Sequence, residues 1–295
     1  MNFRITHITD YKYSDPVDLS WNKACLLPRE TPRQHCLSSQ LKITPEPVAV
    51  RERLDSFGNR LHYFALQKPH PELVVQAVSE VAVIPAPAIV SLHNAPWEDV
   101  RAQLAKPGAV DVLEALPFLH ESALVQGLPP LADYARSSFA AGRSLVAAAD
   151  ELMQRIFQDF KYDPSATNIA TPVAEIMAKR HGVCQDFAHL GVGCLRALGL
   201  AARYVSGYIE TLPPPGQERL IGADASHAWF SVYCGADGWV DFDPTNNQIA
   251  SEQHVTLAWG RDFSDVSPLR GVALGGGEHS VSVSVDVARL ADTGR

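Results

Sequence analysis

The chain has 295 residues, 46% of them hydrophobic and 20% charged, with a formal net charge of −8. That balance suits a soluble globular protein with one large or two smaller domains. It excludes phosphate-backbone binding, which needs clustered Lys/Arg, and no apolar run approaches the ~18 residues that span a bilayer.

Residues 1–94 read as a β-rich N-terminal domain, with alternating runs at 3–13, 41–44 and 73–84 broken by Pro45, Gly58-Asn59 and Pro69. Asp55-Ser56-Phe57-Gly58-Asn59 between extended runs predicts a hairpin. Met1 to His7 alternates like a strand and lacks the apolar core of a signal peptide. From Pro96 the spacing becomes helical, and 95–145 forms a helical connecting region with an irregular, Pro- and Gly-bearing stretch at 107–130. Residues 146–295 form the remaining region, a core that ends in a C-terminal strand. Within it Thr171-Pro172 starts a short helix to Lys179, with threonine as cap and proline in the first turn. A second helix follows through Val192, Leu195 and Leu198. Strands are predicted at 203–209, 228–233 and 239–242, and 280–287 is a last strand rejoining the sheet.

Three segments carry chemistry. In Gly182-Val183-Cys184-Gln185-Asp186-Phe187, a thiol stands where a glycine turn becomes a helix, and the helix N-terminus favours a thiolate there. Gly182 leaves room for a close approach. Downstream lie Asp224-Ala225-Ser226-His227-Ala228-Trp229-Phe230 and Trp239-Val240-Asp241-Phe242-Asp243-Pro244-Thr245. A thiol at a helix start, a strand histidine and a carboxylate on the next strand are the parts of a cysteine acyl-transfer triad. Alternation puts His227, Trp229, Ser231 and Tyr233 on one face, a polar-aromatic set that suits a cleft. The carboxylate is Asp241 or Asp243, which share a face; Pro244 ends the strand and holds Asp243 at its end. The backbone N–H of Cys184 is one oxyanion donor. Tyr162 and Gln185 are candidates for a second, and Trp229 for substrate contact. His181, Cys184 and His189 also permit a metal-site reading, although His189 lies roughly 140° around the helix from Cys184 and no matched fourth ligand is present. Cys25, Cys36, Cys194 and Cys234 read as structural thiols. An odd, unpaired set of five cysteines points to a reducing compartment, with the cytoplasm as the expected location.

The order Cys, His-Ala-Trp, Asp-Pro-Thr resembles the transglutaminase-like superfamily, which shares its core with papain-type proteases. Leu195-Arg196-Ala197-Leu198-Gly199-Leu200 and Ala202-Arg203-Tyr204-Val205-Ser206-Gly207-Tyr208 extend the resemblance, as does Gly260-Arg261-Asp262-Phe263-Ser264-Asp265-Val266. Leu27-Pro28-Arg29 and Asp55 to Asn59 resemble the β-rich region that precedes the core in the bacterial subgroup. Ala201 stands where many relatives carry proline.

The resemblance implies an α+β fold: a β-rich domain, then a papain-like core with helices packed on an antiparallel sheet. It selects Asp243, since the motif places its orienting carboxylate immediately before Pro-Thr. It implies a Cys184-His227-Asp243 triad acting through a thioester on a peptide or protein amide, with water or a primary amine as acceptor. No cofactor or metal is expected, and no EF-hand-type loop suggests calcium. The reading from another class is a binding module that keeps this fold without activity.

Overall fold

The computed structural model describes residues 1–87, 92–106, 108–126, 129–210 and 226–290. Its N-terminal part is built on one long strand, β1 (Asn2–Ala24). Phe3, Ile5, His7 and Thr9 alternate inward along it. β2 (Gln34–Thr44), β3 (Val50–Leu54), β4 (Arg60–Leu66) and β5 (His70–Val83) join it in a seven-stranded sheet ordered β2-β5-β1-β4-β3, with two further strands on β1. The hairpin expected at Asp55–Asn59 connects β3 to β4: Asp55 Oδ1 accepts the N–H groups of Phe57 and Asn59, and Gly58 takes the left-handed φ of 77° that the turn requires.

The connecting region is more ordered than its prolines suggest. It holds α1 (Trp97–Leu104) and α2 (Val110–Ala115), and α3 (Pro129–Arg136) begins on a proline, where no intrahelical N–H bond is lost. α4 (Leu145–Asp159) and α5 (Val173–Lys179) follow. The expected Thr171 cap is not formed; its hydroxyl instead accepts the N–H of Asn168.

The core has one central helix, α6 (Cys184–Ala197), against five antiparallel strands. These are β8 (Ala202–Ile209), β9 (Ser226–Tyr233), β10 (Trp239–Asp243), β11 (Gln248–Ile249) and β12 (His254–Gly260), in the order β11-β10-β9-β8-β12. Beyond its first turn α6 is buried on every side, His189 and Arg196 included. Two glycines allow the close fit: a Cβ at Gly191 would stand 2.3 Å from the Phe230 ring, and one at Gly193 would be 2.7 Å from Leu131.

The last two strands, β13 (Leu269–Gly275) and β14 (His279–Arg289), pair with β1, so the strand expected at 280–287 joins the N-terminal sheet and not the core sheet. Phe3, Ile5, Val81, Val83, Val285 and Val287 pack on Tyr208, Val255 and Leu257 of β8 and β12. Polar contacts add to this. Buried Asn59 donates to the carbonyl of Trp259, accepts the Trp259 N–H and accepts from Arg29. The Leu-Pro-Arg and Asp-to-Asn motifs of the N-terminal part thus converge on β12. Among the described residues, no helix is long and apolar enough to cross a membrane.

Candidate active site

Cys184 is the first residue of α6 and is half-buried. The chain reaches it through a short parallel pair, β6 (Lys161–Tyr162) with β7 (His181–Gly182). Asp186, three residues after the cap position, accepts the N–H of Val183 at 2.8 Å and the Thr167 hydroxyl at 2.7 Å. This satisfies one orphan donor and puts a carboxylate in the first turn, where the helix dipole favours it. A Cβ at Gly182 would meet the Asp186 side chain at 2.8 Å, so the glycine makes room for this brace.

His227 lies near the start of β9, opposite Gly207 of β8, and Asp243 ends β10. His227 Nε2 is 2.8 Å from Asp243 Oδ2. The same oxygen accepts from Asn246 Nδ2 at 2.7 Å and pairs with His254 Nε2 at 3.1 Å, while Oδ1 accepts the N–H groups of Thr245 and Asn246. Asp243 is fully buried. Burial alone would raise its carboxyl, but the hydrogen bonds and charges of His227 and His254 hold it well below the usual carboxylate range. Burial alone would also lower His227. The hydrogen bond to Asp243, then that to Cys184, and the charges of both raise it to about 10. With Nε2 on Asp243, Nδ1 is the ring nitrogen left for the thiol.

The structure therefore brings Cys184, His227 and Asp243 together. Asp241 is apart, 3.9 Å from Arg33 on the same strand face. Tyr162 lies exposed beside the thiol; burial, then the Cys184 charge, raises its hydroxyl. The Gln185 amide donates to the Ile169 carbonyl at 3.2 Å and is engaged there. Trp229 is fully buried, its ring centroid 5.2 Å from that of His254, and it packs beneath the histidines with Val205 and Ala250. The face expected to line a cleft is thus covered at Trp229, and Ser231 and Tyr233 are buried too.

The histidines nearer in sequence are used elsewhere. Buried His189 accepts the N–H of Phe263 through Nε2 at 3.1 Å, and burial pushes it down to about 4. His181 Nδ1 is 3.7 Å from Asp163. Among the described residues the group able to hold a metal ion is instead His227, Asp243 and His254, whose ligand atoms lie within 4.8 Å of one another and hydrogen-bond among themselves. Cys25 and Cys194 are buried thiols that burial pushes up to about 12, and burial raises Cys234 as well.

Three contributors carried no readable signal. His254 and Asn246 act on Asp243 from outside the three chemistry-bearing segments. Tyr204 of β8 is a buried phenol raised well above its ordinary value by burial, then by the charges of Cys184 and Asp186, so it remains an O–H donor near the thiol.

Comparison with known proteins gives the family of the chain. Residues 3–82 match the bacterial transglutaminase-like N-terminal region, and residues 132–244 match the transglutaminase-like superfamily core. An uncharacterized protein of Mycobacterium tuberculosis is 41% identical over 295 residues, covering 97% of this chain and 92% of the relative. One from Mycobacterium leprae is 30% identical over 291 residues, covering 98% of this chain and 99% of the relative. A protein-glutamine gamma-glutamyltransferase of Pseudomonas aeruginosa is 34% identical over 131 residues, 42% of this chain and 18% of that protein. The crystal structure of a candidate cysteine protease from Cytophaga hutchinsonii superposes with a TM-score of 0.78 at 23% identity, covering 100% of this chain and 92% of that one, which shows the shared fold.

The fold is a transglutaminase-like core preceded by a strand-rich domain. The chain belongs to the transglutaminase-like superfamily, and this membership supports a cysteine-dependent activity.

Proposed function

We propose that the protein cleaves or transfers acyl groups at a carboxamide or peptide bond through a thioester on Cys184. The observation that carries this reading is the 2.8 Å contact of His227 Nε2 with buried Asp243, which leaves Nδ1 beside the thiol and the ring biased towards its cationic form. Cys184 sulfur attacks the carbonyl carbon as thiolate, and His227 holds the proton as imidazolium. The tetrahedral oxyanion is met by the Cys184 backbone N–H, with Tyr162 as candidate second donor. Its collapse breaks the C–N bond, and His227 passes its proton to the departing amine. Water or a primary amine then attacks the thioester, His227 takes the acceptor's proton, and the thiolate leaves. Asp243 stabilises the charged ring throughout. The substrate is a peptide or protein amide, and a free thiol nucleophile suits a reducing compartment such as the cytoplasm.

The experiment is a slow amide substrate followed by mass spectrometry, with and without an added amine. The expected result is an acyl adduct on the Cys184 peptide, lost in Cys184→Ala and unaffected by EDTA; with amine, transamidated product distinguishes transferase from hydrolase. Turnover lost to EDTA and restored by zinc, with no adduct trapped, overturns the thioester.

A further inference from the structure

A cavity of about 460 Å³ lies where the Thr31–Arg33 segment of the N-terminal part meets β10 and β12. None of Cys184, His227 or Asp243 lines it. It opens on the sheet face opposite α6: Asp241, Ser231 and Arg203 stand in register across β10, β9 and β8, while neighbouring Phe230 points at Gly191 of the helix.

Among its charged groups Asp237 accepts the N–H groups of His93 and Asn94, whereas Arg203, Arg33 and Asp241 are incompletely used. Arg203 is only 7% exposed, and its guanidinium carbon lies 3.6 Å from the Trp259 ring centroid and 4.2 Å from that of Trp239. Stacking occupies the faces of the guanidinium and leaves its in-plane N–H groups; among the described residues Nε finds no acceptor. Asp241 is 3.9 Å from Arg33, yet Asp241 Oδ1 and Arg33 Nη1 have no hydrogen-bond partner among the described residues either. A purely structural stack of arginines and indoles accounts for the burial of Arg203. It accounts neither for the cavity nor for one carboxylate oxygen and two guanidinium nitrogens without hydrogen-bond partners among the described residues, which is costly in a buried place.

We propose that this cavity binds a small amphipathic carboxylate bearing an adjacent N–H, the chemistry shared by free α-amino acids and N-acylated amino acids. The carboxylate accepts from Arg203 and Arg33, the N–H donates to Asp241, and the apolar body lies against Trp239, Ile249 and Trp259. The site is separate from the thiol, and this inference does not rest on the thioester reading.

Isothermal titration of the full-length protein with L-phenylalanine, N-acetyl-L-phenylalanine and N-acetyl-L-phenylalaninamide tests it. At least one carboxylate binds saturably, the carboxamide at least about 10-fold more weakly, and Arg203→Gln weakens the carboxylate by about 10-fold or more, as expected for a hydrogen bond to a charged group. Asp241→Asn weakens whichever carboxylate binds, and an ammonium-bearing one more than an acylated one, since only the former loses a charge partner. Binding survives alkylation of Cys184 by iodoacetamide. Should Arg203→Gln not fold, Ile249→Trp, which fills the cavity and keeps every charge, decides by losing the carboxylate. No saturable binding, equal affinity for the carboxamide, wild-type affinity in Asp241→Asn and Ile249→Trp, or loss of binding on Cys184 alkylation each overturns the proposal.

Discussion

His189 on α6 and His227 on β9 are both almost wholly buried, at 2% and 7% exposure, yet their surroundings drive them in opposite directions. Around His189 desolvation dominates. The charge of Asp262 offsets it only in part, and the ring stays a neutral acceptor for the Phe263 N–H. Around His227 the same desolvation is outweighed by a carboxylate in contact, and the cation is preferred. Burial by itself makes a structural histidine; burial against a fixed opposite charge makes one suited to proton transfer. The contrast predicts which substitutions reach the chemistry and which reach only stability.

The largest effect should come from removing the fixed charge. Asp243→Ala should lower turnover by roughly 10²- to 10⁴-fold, and Asp241→Ala by less than about 3-fold, because only Asp243 holds the His227 ring. Steady-state rates on one amide substrate, with circular dichroism as a check on folding, measure this. Equal losses in two folded variants would break the distinction between the carboxylates.

A smaller effect sharpens it. His254→Gln removes one of the groups on Asp243 Oδ2 and should lower kcat by about 2- to 10-fold, the worth of a single hydrogen bond. It should also shift the pH profile of kcat, since His227 would then face a carboxylate less well held. A loss of stability with an unshifted profile would reduce His254 to a packing role.

The smallest effect is on stability alone. His189 falls from its ordinary 6.5 to about 4, so between those pH values the unfolded chain binds more protons and stability drops on acidification. His7, which burial also lowers to about 4, contributes with the same sign. His227 has the opposite sign: its contribution is complete below about 6.5 and fades as the pH rises through about 10. His189→Gln keeps an acceptor for Phe263 and should reduce the fall in unfolding free energy between pH 6.5 and 4 by an amount on the order of 1–3 kcal/mol. Urea titrations across that range read it; an unchanged slope would show that His189 is not held neutral.

Most of the elements were legible because their signals are local. Alternation marked β1 and β5, and helical spacing marked α4 and α6. The length of β1 was not, since its register with β4, β5, β13 and β14 is fixed by partners far along the chain. Gly182 was read as room for a backbone or substrate, whereas its neighbour is the Asp186 side chain; the spacing of a turn does not reveal what fills it. The helix in 107–130 was hidden by prolines and glycines that flank it.

By itself the sequence determined the chemistry-bearing residue types and their order: a cysteine at a helix start, a histidine on a strand, and a carboxylate held at a strand end by proline. These follow from short-range rules of periodicity and turn chemistry. Tertiary structure alone decided that His254 shares Asp243 although two strands separate β12 from β10 in the sheet, that Trp229 is covered, and that the C-terminal strands return to β1. Each of these depends on which faces meet when apolar surface is withdrawn from water, and that is a property of the whole packed chain.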